Sequence, residues 1–283
     1  MTTRPSSPRL AAASRPADPA RPADLGRQIG IIAATCFMLI AAAVGTGAFG
    51  GTSVQDLQGG ALDSDGSFLA PARPAFGIWS VIYLLLIAYT VWQALPSQRA
   101  DVRQRAIGWW IALTAVLNGV WLVTAQFANL PLTVLAIFAL LAALAVTFQR
   151  TVVVRRERVV DAILIDGATG LHLGWVSLAS VANTAAWLTQ AGLDVSMPDV
   201  WGIGVLIVVA AIGIAIPILS GGRFAPGLAI AWGLVWLGVG RLTGEPASVP
   251  IGITAIVVAV LVLVAPIVVI TMRSRRGGRW FTP

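Results

Sequence analysis

The chain has 283 residues, of which 57% are hydrophobic and 11% charged, with a mean hydropathy of +0.85. A soluble domain carries roughly 25% charged residues on a polar shell, so this composition excludes one and calls for lipid as the surrounding solvent. The formal charge of +7 comes from arginines, which lie mostly in the tails and between apolar runs; that is how topology signals are placed, and it argues against nucleic acid as a partner.

Residues 1–28, rich in Pro, Arg, Ala and Ser without an apolar period, are expected to form a disordered cytoplasmic tail. The first apolar run, 29–49, is longer than the h-region of a signal peptide and reads as a first span. Cys36 lies inside it, alone, and reads as a small core hydrophobe. Seven further runs follow at 77–95, 107–127, 131–149, 168–190, 200–220, 225–243 and 250–272. Each is close to the ~20 residues that an α-helix needs to cross ~30 Å of hydrocarbon. The stretch 151–166 is partly apolar but broken by Arg155, Arg156, Glu157, Arg158, Asp161 and Asp166, and is expected to be a surface helix. A basic cytoplasmic tail, 273–283, closes the chain.

Arginine-rich and arginine-poor connections alternate. The first tail, Arg99 to Arg105, Arg150 to Arg158, Arg223 and the last tail form one set. Asp56, Asp63 and Asp65 against a single Arg73, the uncharged stretch near Leu130, Asp194 with Asp199, and a mixed seventh connection with Arg241 and Glu245 belong to the other. Arg241 lies at the outer end of its helix, where its stem can snorkel to the interface. The positive-inside rule then puts both termini in the cytoplasm. The fold expected is an all-α, polytopic integral membrane bundle of about eight transmembrane helices in the cytoplasmic membrane.

Catalytic patterns are missing. The single histidine, His172, excludes a His-rich metal site, and neither a nucleophile elbow nor a phosphate-binding loop occurs. No acidic residue falls well inside any apolar run, which argues against an ion-coupled pump.

Eleven tryptophans stand out. Those near run ends (Trp79, Trp92, Trp109, Trp110, Trp187, Trp201) fit an aromatic belt at the headgroups. Trp121, Trp175, Trp232 and Trp236 lie deeper. Asn118 is one turn from Trp121, and Trp175, Ala179 and Asn183 follow an i, i+4, i+8 line. An amide in hydrocarbon needs a partner, so both asparagines must face protein or a cavity, either as glue between helices or as glue that also borders a ligand pocket.

These residues carry a resemblance. The stretch Phe76-Gly77-Ile78-Trp79-Ser80-Val81-Ile82-Tyr83, continuing to Ala88-Tyr89-Thr90-Val91-Trp92, resembles the second helix of the translocator protein family, also called tryptophan-rich sensory proteins. Leu117-Asn118 with Trp121 resembles its third helix, and Trp175 to Asn183 its fifth. The resemblance implies a five-helix bundle over 29–190, with additional transmembrane helices over 191–272 that the short members lack. It further implies a pocket under the long first loop, residues 50–76, that takes a tetrapyrrole such as a porphyrin, or a sterol-like ligand. Carried over residue by residue, the ligand-binding positions are Trp79, Tyr83, Asn118, Trp121, Trp175, Ala179 and Asn183. No cofactor or metal is required. The partners implied are the bilayer, a hydrophobic small molecule and, left open, a second copy in a homodimer. Three functions compete: a non-enzymatic binding or sensor protein, a carrier of a small amphipathic solute for which Pro217 and Pro266 would supply kinks, and a structural or assembly protein.

Overall fold

The computed structural model describes residues 19–154, 158–193 and 195–277, and everything structural below concerns those residues. Eight helices are long and apolar enough to cross a membrane: α1 (Pro22–Gly45), α2 (Ile78–Gln93), α3 (Val102–Phe127), α4 (Leu130–Val153), α5 (Val159–Gln190), α6 (Pro198–Ser220), α7 (Ala225–Thr243) and α8 (Val249–Gly277). Local sequence sets several of their ends. The Asp101 carboxylate accepts from the Gln104 N–H and the Asn129 amide oxygen from the Leu132 N–H, which caps α3 and α4. Gly221, at φ +79°, takes the left-handed conformation that stops α6.

The helices form a chain of neighbours. α1 packs on α3, α3 on α4, α4 on α5, α5 on α7, α7 on α8 and α8 on α6, while α2 leans on α1 and α5. One apolar core fills the space among the first five, and a second lies chiefly among α6, α7 and α8. The α5–α7 seam joins the two. There Gly174 brings α5 so close to α7 that a Cβ would lie 2.1 Å from the Pro226 carbonyl oxygen. Small residues allow this approach between helices in lipid, where packing rather than apolar transfer drives association.

Two expectations change. α1 starts at Pro22, so residues 22–28 belong to the first helix and not to a tail; residues 1–18 lie outside the described part. The surface helix expected over 151–166 does not exist as such. Residues 151–153 finish α4, residues 155–157 are outside the described part, and Val159 onward is the start of α5, which passes through a π turn at Ala162–Gly167.

The reason is charge pairing that the linear sequence hides. Asp166, in the π turn, is 6% exposed and lies between Arg103 of α3 and Arg223 of the α6–α7 connection, whose Nη1 is 2.8 Å from it. Asp24, 4% exposed, is bonded by Arg105 at 2.7 Å and Arg27 at 3.2 Å. Both acids therefore sit inside helices of membrane length, neutralised near the arginine-rich face. Cys36 also departs from expectation: it is exposed on the outside of α1.

Replacing Gly174 by Ala forces the new methyl against backbone. We expect it to lower stability by about 1–3 kcal/mol, the usual range for overpacking, read as a lower Tm of the purified protein in nanodiscs. An unchanged Tm would mean that α5 and α7 do not meet this closely.

Candidate functional site

The half of the bundle farther from the arginine-rich face holds a partly open cavity of about 500 Å³. Five helices and one loop build it. On α2 and the 3-10 turn before it, Phe76, Trp79, Ser80 and Tyr83 follow helical spacing and share one face. On α5 the Trp175, Ala179, Asn183 line forms the opposite wall. Trp121 of α3 and Ile137 and Leu140 of α4 fill in between them, and Ala42 to Thr46 at the end of α1 border the rim. Loop residues Ser53 to Gln55, Ala61 to Asp63 and Ala70 to Pro71 complete the lining.

The aromatic rings are in mutual contact. Trp79 stacks on Tyr83 with centroids 5.2 Å apart and an interplanar angle of 29°. The Trp175 ring stands edge-on to Trp79 at 6.2 Å and 84°, and Phe76 edge-on to Trp175 at 5.7 Å. These are the offset and T-shaped arrangements that aromatic quadrupoles favour. They leave indole faces at right angles around one space.

Both asparagines are engaged across helices. Asn183 accepts from the Trp121 indole N–H (3.3 Å) and donates to the Thr133 hydroxyl (3.1 Å), tying α3, α5 and α4. Asn118 accepts from the Tyr83 hydroxyl (3.2 Å), and its amide nitrogen lies 3.2 Å from His172 Nε2. An amide nitrogen can only donate, so that ring nitrogen accepts. Of the seven residues expected at the site, Trp79, Tyr83, Trp121, Trp175, Ala179 and Asn183 line the cavity. Asn118 is fully buried and outside the lining, where it holds Tyr83 from behind.

Sequence reasoning missed three neighbours. Phe76 was read only as part of a motif. His172, 1% exposed, packs its ring edge-on to Trp79 at 5.7 Å; its place three residues before Trp175 on the same helix face was a usable signal. Thr133 had none, since its role depends on the approach of α4 to α5. Among the described residues, no three of His, Cys, Asp and Glu gather as a metal ion would require.

The loop from Thr46 to Ala72 is held from two sides. From the turn that follows it, Arg73 bonds Asp63 and, at 2.9 Å, Asp56. From α7, the Trp232 indole donates to the Ala75 carbonyl (2.8 Å), the Trp236 carbonyl accepts from Ala72 N–H (3.1 Å), and Arg241 donates to the carbonyls of Ser64 (2.6 Å) and Ser67 (3.1 Å). Arg241 is 1% exposed; it is not the snorkelling interface residue that its position at a helix end suggested, but a buried clamp on the loop.

A family model described as TSPO-like protein matches residues 28–269. The chain is a member of the TSPO-like protein family. The match runs through α6 and α7 and into α8, so the helices after residue 190 fall inside the family region along with the first five. No curated protein and no solved structure matches the chain.

In this TSPO-like protein the loop clasp should respond to acid. Burial raises the Asp63 carboxyl, but its bonds from Arg73 and the Ser64 N–H outweigh that and hold it below its ordinary 3.8. The Ser53 hydroxyl and Arg73 likewise lower Asp56. A depressed carboxylate stabilises the clasp above its unfolded value and loses that contribution as pH falls through the folded one. Hydrogen exchange over residues 54–73, corrected for intrinsic rate, should therefore show protection at pH 7 that is lost below about pH 4. Arg73→Gln should show the unprotected pattern already at pH 7. Equal protection at both pH values in the wild type would exclude the clasp.

Proposed function

We propose that this membrane protein binds a flat, hydrophobic ligand of the tetrapyrrole or sterol type in the cavity under the first loop, as a binding or sensor protein and not as an enzyme. One observation carries the reading: Trp79, Tyr83, Trp121 and Trp175, from three helices, converge on one cavity of about 500 Å³. That volume falls within the usual range for small-molecule pockets, which are mostly apolar with a few orienting polar groups. The residues present fit such a group: indole faces for stacking, the Asn183 amide and the Ser80 hydroxyl at the wall, and a loop to exclude lipid and water.

Binding is favoured over passage by what lies beyond the cavity. Toward the arginine-rich face, Ile82, Leu86, Tyr89, Ile107, Ile111 and Leu144 are all buried, and the paired acids and arginines close that end. Membership of the family supports the same reading, because Trp79, Tyr83, Trp121, Trp175, Ala179 and Asn183, six of the residues that carry the resemblance, meet at the cavity.

Titration of the protein in nanodiscs with a free-base porphyrin should quench tryptophan fluorescence to saturation at one site per chain. Trp79→Leu and Asn183→Leu should each weaken binding about three- to tenfold, the scale of one aromatic or hydrogen-bonding contact. Quenching that does not saturate, or that matches partition into empty nanodiscs, would end this reading.

A further inference from the structure

Among the described residues, the cavity wall carries one fully buried polar atom that the fold leaves without a partner. The Trp175 indole N–H is buried and bonded to nothing, on a side chain only 1% exposed. The Trp79 N–H, the Ser80 hydroxyl and the Gln55 amide at the same wall also make no hydrogen bond, but they belong to less buried side chains. The buried polar groups around Trp175 are closed. Trp121 N–H is given to Asn183, Asn183 to Thr133, Tyr83 to Asn118, and Trp232 N–H to the Ala75 carbonyl. Trp175 is the exception. The geometry of its ring explains why no neighbour serves it. The six-membered ring abuts α7, where a Cβ on Gly233 would come within 3.2 Å of Cζ3. Nε1 is on the opposite side of the indole from Cζ3, on a residue that lines the cavity. A buried donor with no acceptor is costly, and buried indoles ordinarily find one.

A second observation concerns charge. The cavity lining contains no Arg, Lys or His. Its single ionisable residue with a formal charge is Asp63, which already holds Arg73 at the loop. An ionised carboxylate carried into this space would be stripped of water with no cation to meet it, a costly arrangement.

Together these observations narrow the ligand. We infer that the cavity selects a neutral planar ligand that presents a hydrogen-bond acceptor, such as a carbonyl or ring nitrogen, to the Trp175 N–H, and that it rejects ligands whose ionised carboxylates would have to enter. Trp175 is then the specificity-determining donor of the site, and a porphyrin carrying acid side chains binds only with those groups kept outside the lining. The inference rests on the planar-ligand reading of the same cavity.

Three probes of one skeleton separate the parts of the claim: fluorene, which has no acceptor; 9-fluorenone, which adds a carbonyl; and a fluorenone carboxylate, ionised at pH 7. Binding to the full chain in nanodiscs is measured by competition with a fluorescent occupant and corrected by partition into empty nanodiscs. Fluorenone should bind about fivefold more tightly than fluorene, the worth of one neutral hydrogen bond, and the carboxylate more weakly than either. Trp175→Phe keeps an aromatic ring without the N–H. It should bring the ratio of ketone to fluorene affinity, both measured in the same variant, from about fivefold down to about one, whatever the change in fluorene binding itself. A ketone advantage that survives in Trp175→Phe, or a carboxylate that binds as tightly as the ketone, overturns the inference with the planar pocket intact. Failure of all three to bind overturns the planar-ligand reading itself and this inference with it.

Discussion

A polar atom inside this bundle has no water to turn to, and the arrangement of the helices follows from that constraint. In hydrocarbon every buried donor, acceptor and charge needs a protein partner. At the arginine-rich face the demand is met by ion pairing: Asp166 joins α5 to α3 and to the α6–α7 connection, and Asp24 joins α1 to α3. Removing one member of such a buried group leaves charge uncompensated, which costs more than the pair itself contributes. In the middle the same demand is met by amides, with Asn118 and Asn183 each bridging helices. At the opposite face it is met by carbonyls gathered around Arg241. The bundle is thus fastened at three levels, and the cavity lies between the second and the third.

Hydropathy and the alternation of arginine made the eight spans and their alternating direction readable, because both report on the bilayer and not on tertiary contacts. The start of α5 was unreadable for the opposite reason. Arg158, Asp161 and Asp166 look like a break in an apolar run until Arg103 and Arg223, remote in sequence, are seen beside Asp166. At the site, the helical spacing of Trp175, Ala179 and Asn183 was enough to place them on one wall. Spacing could not say that Asn118 lies outside the lining, bonded to Tyr83 and beside His172, since that depends on how α3 is rotated against α2 and α5. Asn183 is glue between helices, with its two amide atoms bonded across them, and its side chain also borders the cavity.

The cavity is not the property of five helices alone. Its loop is fixed by Trp232, Trp236 and Arg241, all on α7, and α7 is held in place by α5 through Gly174 and by α8. The later helices therefore stand outside the lining and yet determine how firmly the loop is closed. That dependence gives physical content to a family match that continues past residue 190. It also explains why two of the deep tryptophans, Trp232 and Trp236, are absent from the cavity wall: their ring and backbone groups hold the segment that carries Phe76 and Trp79.

The π turn at Ala162–Gly167 has a consequence for how α5 does two jobs. A π turn takes in about one residue more than an α turn, so it advances the helix by roughly 100° in azimuth. The acid end of α5 and its tryptophan end are set out of phase by that step, which lets Asp166 aim at its two guanidinium partners while Trp175 aims elsewhere. Losing a single residue there would restore the regular winding and force a choice between those two directions. The extra residue works as a rotary coupling, letting the electrostatic anchor and the aromatic wall each find their own bearing on one continuous rod.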